Sequence, residues 1–213
     1  MGRALKMIAL GALATVAIST SARATSITFD NLTDNGIGTP ISNGYEGLNW
    51  TNFGVVNTTA DLALFGQPDG FINGTVSAPN VAFNAFGLPA SVSSSTPFVF
   101  QSAYFNAGWN NGLSITVNGL LNGVIKDTST FTVNATGPAV LEIFDWTDIN
   151  ELDFSSTGGT SAGFDGSGTE FAMDDLIIGA TATPEPPSLA LALAGIALLG
   201  FCTVKRGKTL LSN

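Results

Sequence analysis

Along the middle of the chain, apolar and polar residues alternate with a period of two. In "LSITVNGL" Leu113, Ile115 and Val117 alternate with Ser114, Thr116 and Asn118, and after Asn122 and Gly123 the run "VIKDTSTFTV" resumes the alternation through Phe131 and Val133. Period-two alternation puts one set of side chains on a core face, and Asn-Gly tolerates the positive φ of a two-residue turn; the segment therefore predicts a β-hairpin. Further strands are expected at "SITFD" from Ser26, "GLNWTNFGVV" from Gly47, "NVAFNAF" from Asn80, "FVFQSAYF" from Phe98, "AVLEIFDW" from Ala139, "ELDFSS" from Glu151 and "EFAMDDLIIG" from Glu170. Turn-forming clusters such as "TDNGIGTP", "GQPDG" and "STGGTSAGFDGSGT" separate them.

Nine or ten short strands punctuated in this way predict an all-β domain over residues 25–179, an antiparallel two-sheet β-sandwich of jelly-roll type. No repeat of fixed period is visible, which disfavours a solenoid or propeller. No long stretch of helical period precedes the C-terminal segment.

The two ends break the pattern. Residues 1–24 run from Arg3 and Lys6 through an apolar stretch, Met7 to Ile18, to Ala22, Arg23 and Ala24. This is the order of a secretory signal peptide, with cleavage expected after Ala24 and with the Sec translocon and signal peptidase as partners. At the other end, residues 180–187 form a Pro-rich linker, residues 188–204 carry no charge, and residues 205–213 begin with a basic cluster. At 1.5 Å per residue the uncharged segment spans ~25 Å of a ~30 Å hydrocarbon core, so a single transmembrane helix is expected, its basic tail in the cytoplasm and the domain outside.

Charge and residue usage then exclude whole classes of chemistry. The net charge is −9, and six of the seven basic residues lie in the end segments, leaving Lys126 alone in the domain. An acidic domain repels a polyanion, which argues against nucleic acid as a partner. Histidine is absent and Cys202 is the one cysteine. Histidine-dependent triads, histidine-ligated zinc and an intramolecular disulfide are therefore all out of reach.

Pro184, Glu185 and Pro186, the apolar span from Ser188 to Val204 and the basic cluster Lys205, Arg206 and Lys208 together resemble a PEP-CTERM sorting signal of Gram-negative bacteria. The resemblance implies an exosortase-type transpeptidase as partner. It implies a transient inner-membrane anchor, followed by delivery to the cell surface or the extracellular polysaccharide matrix of a biofilm. The prolines suit such a signal, because they favour extended backbone and stop a helix from propagating outward. "SAPNVAFNAFG" and the stretch from Phe98 through "YFNAGWNNGLSITV" look like the domain that commonly precedes such tails. "ITFDN" and "FAMDDLII" resemble the first and last strands of lectin-like jelly rolls, in which acidic residues often help hold a structural calcium.

Within the domain, Asp30, Asp174 and Asp175, aided by Asp34 and Asn35, are candidate calcium ligands, since Ca²⁺ takes six to eight oxygens. Trp109, with Tyr104, Asn110, Asn106 and Asn111, has the composition of a sugar-binding surface: a ring for the apolar face of a pyranose and amides for its hydroxyls. Trp50 and Asn49 offer a second such surface. Paired carboxylates are the strongest catalytic arrangement on offer, with Glu46, Glu142, Glu151 and Glu170 as candidates, but no spacing selects a pair. Sequons at Asn31, Asn49, Asn57, Asn73 and Asn134 follow from an Asn- and Thr-rich composition. The expectation is thus an exported, non-catalytic protein associated with extracellular polysaccharide, the alternative being a carbohydrate-binding or glycan-processing surface module.

Overall fold

The computed structural model describes residues 24–180. The expected signal peptide, Pro-Glu-Pro motif, spanning helix and basic tail lie outside the described residues. Among the described residues no helix is long and apolar enough to cross a membrane.

The chain forms β1 (Ala24–Ile27), β2 (Thr39–Pro40), β3 (Asn49–Thr51), β4 (Phe53–Asn57), α1 (Thr58–Phe65), α2 (Gly70–Asn73), β5 (Asn80–Asn84), β6 (Ala90–Ala107), β7 (Asn110–Leu121), β8 (Val124–Asn134), β9 (Val140–Thr157), β10 (Thr160–Ser161) and β11 (Phe171–Ala180). The strands join in one antiparallel sheet of eleven, with the main order β10-β7-β9-β6-β11-β5-β4-β2; β8 pairs with β7, β3 with β6 and β1 with β11. All-β and antiparallel hold. The expectation of two separately bonded sheets is corrected, because the 18-residue strands β6 and β9 carry the hydrogen bonding through without a break.

That single sheet folds over on itself. Phe105 on β6 pairs with Val140 on β9. Phe154 lies fourteen positions further along β9, which would be ~45 Å away on a straight strand. Yet the rings of Phe105 and Phe154 have centroids only 6.3 Å apart. Two bulges supply much of the bend. Opposite Phe98, Phe100 and Ser102 of β6 stand Ile149, Trp146 and Ile143 of β9, so β9 advances three residues for every two of β6. Asp145 and Asp148 take up the surplus at φ 50° and 56°, the left-handed conformation in which Asp is favoured among non-glycine residues.

The fold encloses a core of aromatic and branched residues. Phe29, Phe100, Phe105, Phe154 and Phe171 are fully buried together with Leu113, Ile115, Ile149 and Leu152. Edge-on contacts such as Phe53 to Phe154 at 5.4 Å and Phe53 to Trp50 at 5.5 Å knit the two halves of the sheet together. The predicted hairpin is present: Leu121 pairs with Val124 across Asn122 and Gly123, both at positive φ.

Two helices, which the alternation does not announce, pack against the sheet, α1 on β4 and β5 and α2 on β6 and β11. α1 is capped at its start by the Asn57 side chain, which accepts from the Ala60 N–H at 3.0 Å, and it ends on Gly66 at φ 71°. α2 starts on Asp69, whose Oδ1 accepts from the N–H groups of Phe71 and Ile72 at 2.9 and 3.0 Å.

Candidate functional site

The helices, the loop ahead of β2 and the turn after β5 surround a basin of about 640 Å³. That volume lies within the ~300–1,000 Å³ range of small-molecule sites. Its walls are aromatic: Phe53, Phe71, Phe83 and Trp109 on the inner side, Phe65 and Phe86 on the rim. Phe86 is 85% exposed and Phe65 64% exposed, so the rim presents bare rings to solvent.

Local backbone chemistry fixes these walls. Asp34 turns the loop: its Oδ2 accepts from the N–H groups of Gly36 and Asn57 at 2.7 and 3.0 Å, and its Oδ1 from the Thr39 hydroxyl at 2.7 Å. Burial would raise its pKa, but these bonds, led by that from Asn57, hold it below the ordinary carboxylate range. Gly36 at φ 91° lies so close to α1 that a Cβ there would stand 2.5 Å from the Asp61 nitrogen. Only glycine meets both demands. Trp109 packs edge-on against Phe71 at 5.2 Å and lies flush against the backbone of Gly166, where a Cβ would strike the indole ring.

Three carboxyls line this apolar basin: Asp61, Asp69 and Glu170. Asp61 is 5% exposed. Burial, the adjoining Asp69 charge and a hydrogen bond between the two side chains push its pKa up to about 7, with Asp34 adding to the repulsion. Asp69 is raised by burial too, but the Ile72 N–H, the Asp61 hydrogen bond and the Phe71 N–H pull it back. The pair therefore shares one proton, with Asp61 as the acid and Asp69 as the acceptor anchored to α2. Burial likewise raises Glu170, offset by its own backbone N–H and by the Trp109 indole. Its Oε2 is buried without a hydrogen-bond partner.

The sequence-predicted residues are only partly gathered here. Trp109 and Glu170 stand in the basin. Tyr104 and Asn110 lie outside its walls, and Asn110 is spent on the Gly158 carbonyl at 3.0 Å. Asn106 is buried and donates to the Gly70 carbonyl at 2.8 Å. Trp50 is a core residue, 5% exposed, whose indole N–H donates to the Tyr45 carbonyl at 3.0 Å; one part of it borders the inner end of the basin. Glu46, Glu142 and Glu151 are elsewhere on the surface.

The expected calcium ligands Asp30, Asp174 and Asp175 each accept hydrogen bonds from protein groups. Asp174 is fully buried and accepts from the Val76 and Ser77 N–H groups at 2.8 Å each, the Ser77 hydroxyl at 3.0 Å and the Asp175 N–H at 2.8 Å. Burial pushes it up to about 6 against the pull of these donors. Asp30 accepts from the Asn80 N–H at 3.1 Å, and Asp175 faces the Ser26 hydroxyl at 3.5 Å. Four protein donors thus occupy the Asp174 carboxylate. Among the described residues no three acidic side chains come close enough together to hold a metal ion.

The Asp61–Asp69 pair escapes sequence reading, because only the N-cap role of Asp69 and the glycine closing α1 signal that the two acids face each other. No family model and no curated protein sequence matches the chain. Among solved structures, a DUF4465 family protein from Bacteroides caccae superposes with a TM-score of 0.47 at 11% identity, covering 73% of this chain and 98% of that one. A second DUF4465 protein, from Bacteroides ovatus, gives 0.40 at 13% identity over 60% and 71% of the two chains. TmCBM61 in complex with β-1,4-galactotriose gives 0.35 at 12% identity over 68% and 98%. Likeness at this level transfers no ligand to this chain.

Proposed function

We propose that the protein is an exported carbohydrate-binding module, carried to the cell surface or extracellular matrix by its PEP-CTERM-like tail, and that the basin holds a sugar unit of a polysaccharide. The folded sheet is read as a two-layer sandwich of jelly-roll type, with the basin at one mouth. The observation that carries the reading is the lining itself. Aromatic rings at Trp109, Phe83 and Phe86 offer faces for the apolar side of a pyranose, and Asp61, Asp69 and Glu170 offer acceptors for its hydroxyls within the same cavity.

Binding without bond cleavage is the leading reading. A glycan-processing activity is the second, favoured by Asp61 and Glu170 both being raised by burial and both lining the basin, as a general acid would be.

Retention of the protein on a panel of immobilised polysaccharides tests the binding, with Trp109→Ala and Phe86→Ala as variants. Phe86 stands in solvent, so its truncation leaves the fold intact. Both variants are expected to lose retention; equal retention of both excludes the basin. Release of reducing ends from a retained polysaccharide would convert the first reading into the second. Mass spectrometry of the exported protein tests the sorting, with termini at Thr25 and near Pro184 expected and an intact tail contradicting it.

A further inference from the structure

The basin holds acidic charge that no basic side chain among the described residues balances. Lys126 is the one basic side chain among the described residues, and it is engaged by Asp148 at 3.1 Å. No lysine or arginine lines the cavity, whereas three carboxyls do. Glu170 Oε2 is a buried acceptor without a donor, and Asp61, almost wholly buried, has the Asp69 carboxyl as its partner. Buried acceptors and buried charge of this kind cost free energy unless a partner arrives.

A neutral sugar supplies hydroxyl donors but leaves the charge in place. A metal ion would supply charge, yet no three acidic groups among the described residues converge on a point. The negative charge is instead spread along an aromatic-walled cavity, which suits an organic cation: an ammonium brings three donors, and its charge is attracted by ring faces.

Building on the carbohydrate reading, we propose that the basin selects a cationic amino sugar, an unacetylated 2-amino-pyranose unit whose ammonium is received by the Asp61–Asp69 pair, with Glu170 adding negative charge along the aromatic wall on which its ring lies. Binding is then an exchange. The ammonium takes the place of the proton shared by Asp61 and Asp69, and that proton passes to the buffer. The groups that set the exchange are Asp61 on α1, Asp69 at the start of α2, Glu170 ahead of β11 and Asp34 in the loop before β2. Affinity rises with pH toward neutrality as Asp61 gives up its proton, and it falls again once the ligand amine deprotonates.

Calorimetric titration of the full chain with short oligomers of glucosamine, N-acetylglucosamine and glucose tests this. The glucosamine oligomer is expected to bind about tenfold or more tightly than the other two, with proton release seen as a dependence of the heat on the buffer's ionisation enthalpy. Asp61→Asn and Glu170→Gln should remove most of that preference. Asp145→Asn, which deletes an exposed charge on β9 outside the basin, should keep it. A preference that survives Asp61→Asn and Glu170→Gln is general attraction to an acidic surface and overturns the proposal. Equal or tighter binding of the neutral oligomers, lost in Phe86→Ala, overturns it while leaving the carbohydrate reading standing. Retention on no polysaccharide at all removes both.

Discussion

Replacing Asp61 by Asn tests the shared proton through stability alone, without any ligand. In the unfolded chain Asp61 titrates near 3.8, and in the folded protein near 7. Its folded pKa is raised, so its contribution to stability is complete below about pH 4 and is lost as pH climbs toward 7. Beyond that point it changes no further. A shift of about three units at 1.36 kcal/mol each sets an upper bound of about 4 kcal/mol on the loss. Asn cannot ionise, and its amide donates to Asp69 as the protonated acid does. Asp61→Asn should therefore match the parent near pH 3 and exceed it at pH 8 by about 2–4 kcal/mol. Urea denaturation followed by tryptophan fluorescence at intervals between the two pH values gives the difference directly. Asp174 and Glu170 add their own slope to both proteins, and taking the difference cancels it. Parallel curves for parent and variant would refute the shared proton.

Two other perturbations probe separate parts of the fold. Asp174→Ala strips the Val76, Ser77 and Asp175 N–H groups of their acceptor and should cost about 2–4 kcal/mol in urea denaturation, with a loss under 1 kcal/mol showing that solvent satisfies them instead. Gly123→Ala meets nothing within 4 Å but must adopt φ 77°, so it should cost about 1 kcal/mol through backbone strain alone, and an unchanged midpoint would deny the left-handed turn.

What the sequence made legible follows from where period-two alternation is kept. The hairpin of β7 and β8 is uninterrupted and its turn residues are specific, so it is readable to the residue. β9 is not, because the bulges at Asp145 and Asp148 shift which positions face inward. Phe144 and Trp146 pack on the core from even positions, whereas Ile149 does so from an odd one. Read by alternation, one strand becomes two, and a folded single sheet becomes two sheets. α1 is hidden for a related reason: Leu62, Leu64 and Phe65 are exposed rather than buried on one face, which erases the helical period. Its caps, Asn57 and Gly66, were the available signal.

The candidate site divides in the same way. Trp109 could be picked out by its residue type and its neighbours. Tyr104 and Asn110 neighbour it only in sequence, a proximity that strand geometry does not respect. The carboxyl pair requires knowing that the nine residues from Asp61 to Asp69 curl back through the end of one helix into the cap of the next. Glu170 was visible as an acid, but its orphaned oxygen and its place beside Trp109 are properties of packing between β11 and the loops.

The chain's three tryptophans give the most direct test of the basin. Trp50 is in the core, Trp146 packs on Phe144 at 4.9 Å, and Trp109 alone stands beside the basin carboxyls, within hydrogen-bonding reach of Glu170. In a nitrogen–proton correlation spectrum, titration with a retained oligosaccharide should shift the Trp109 indole resonance and leave that of Trp146 in place. A shift confined to Trp146, or no indole shift at saturating oligosaccharide, would contradict carbohydrate binding in the basin.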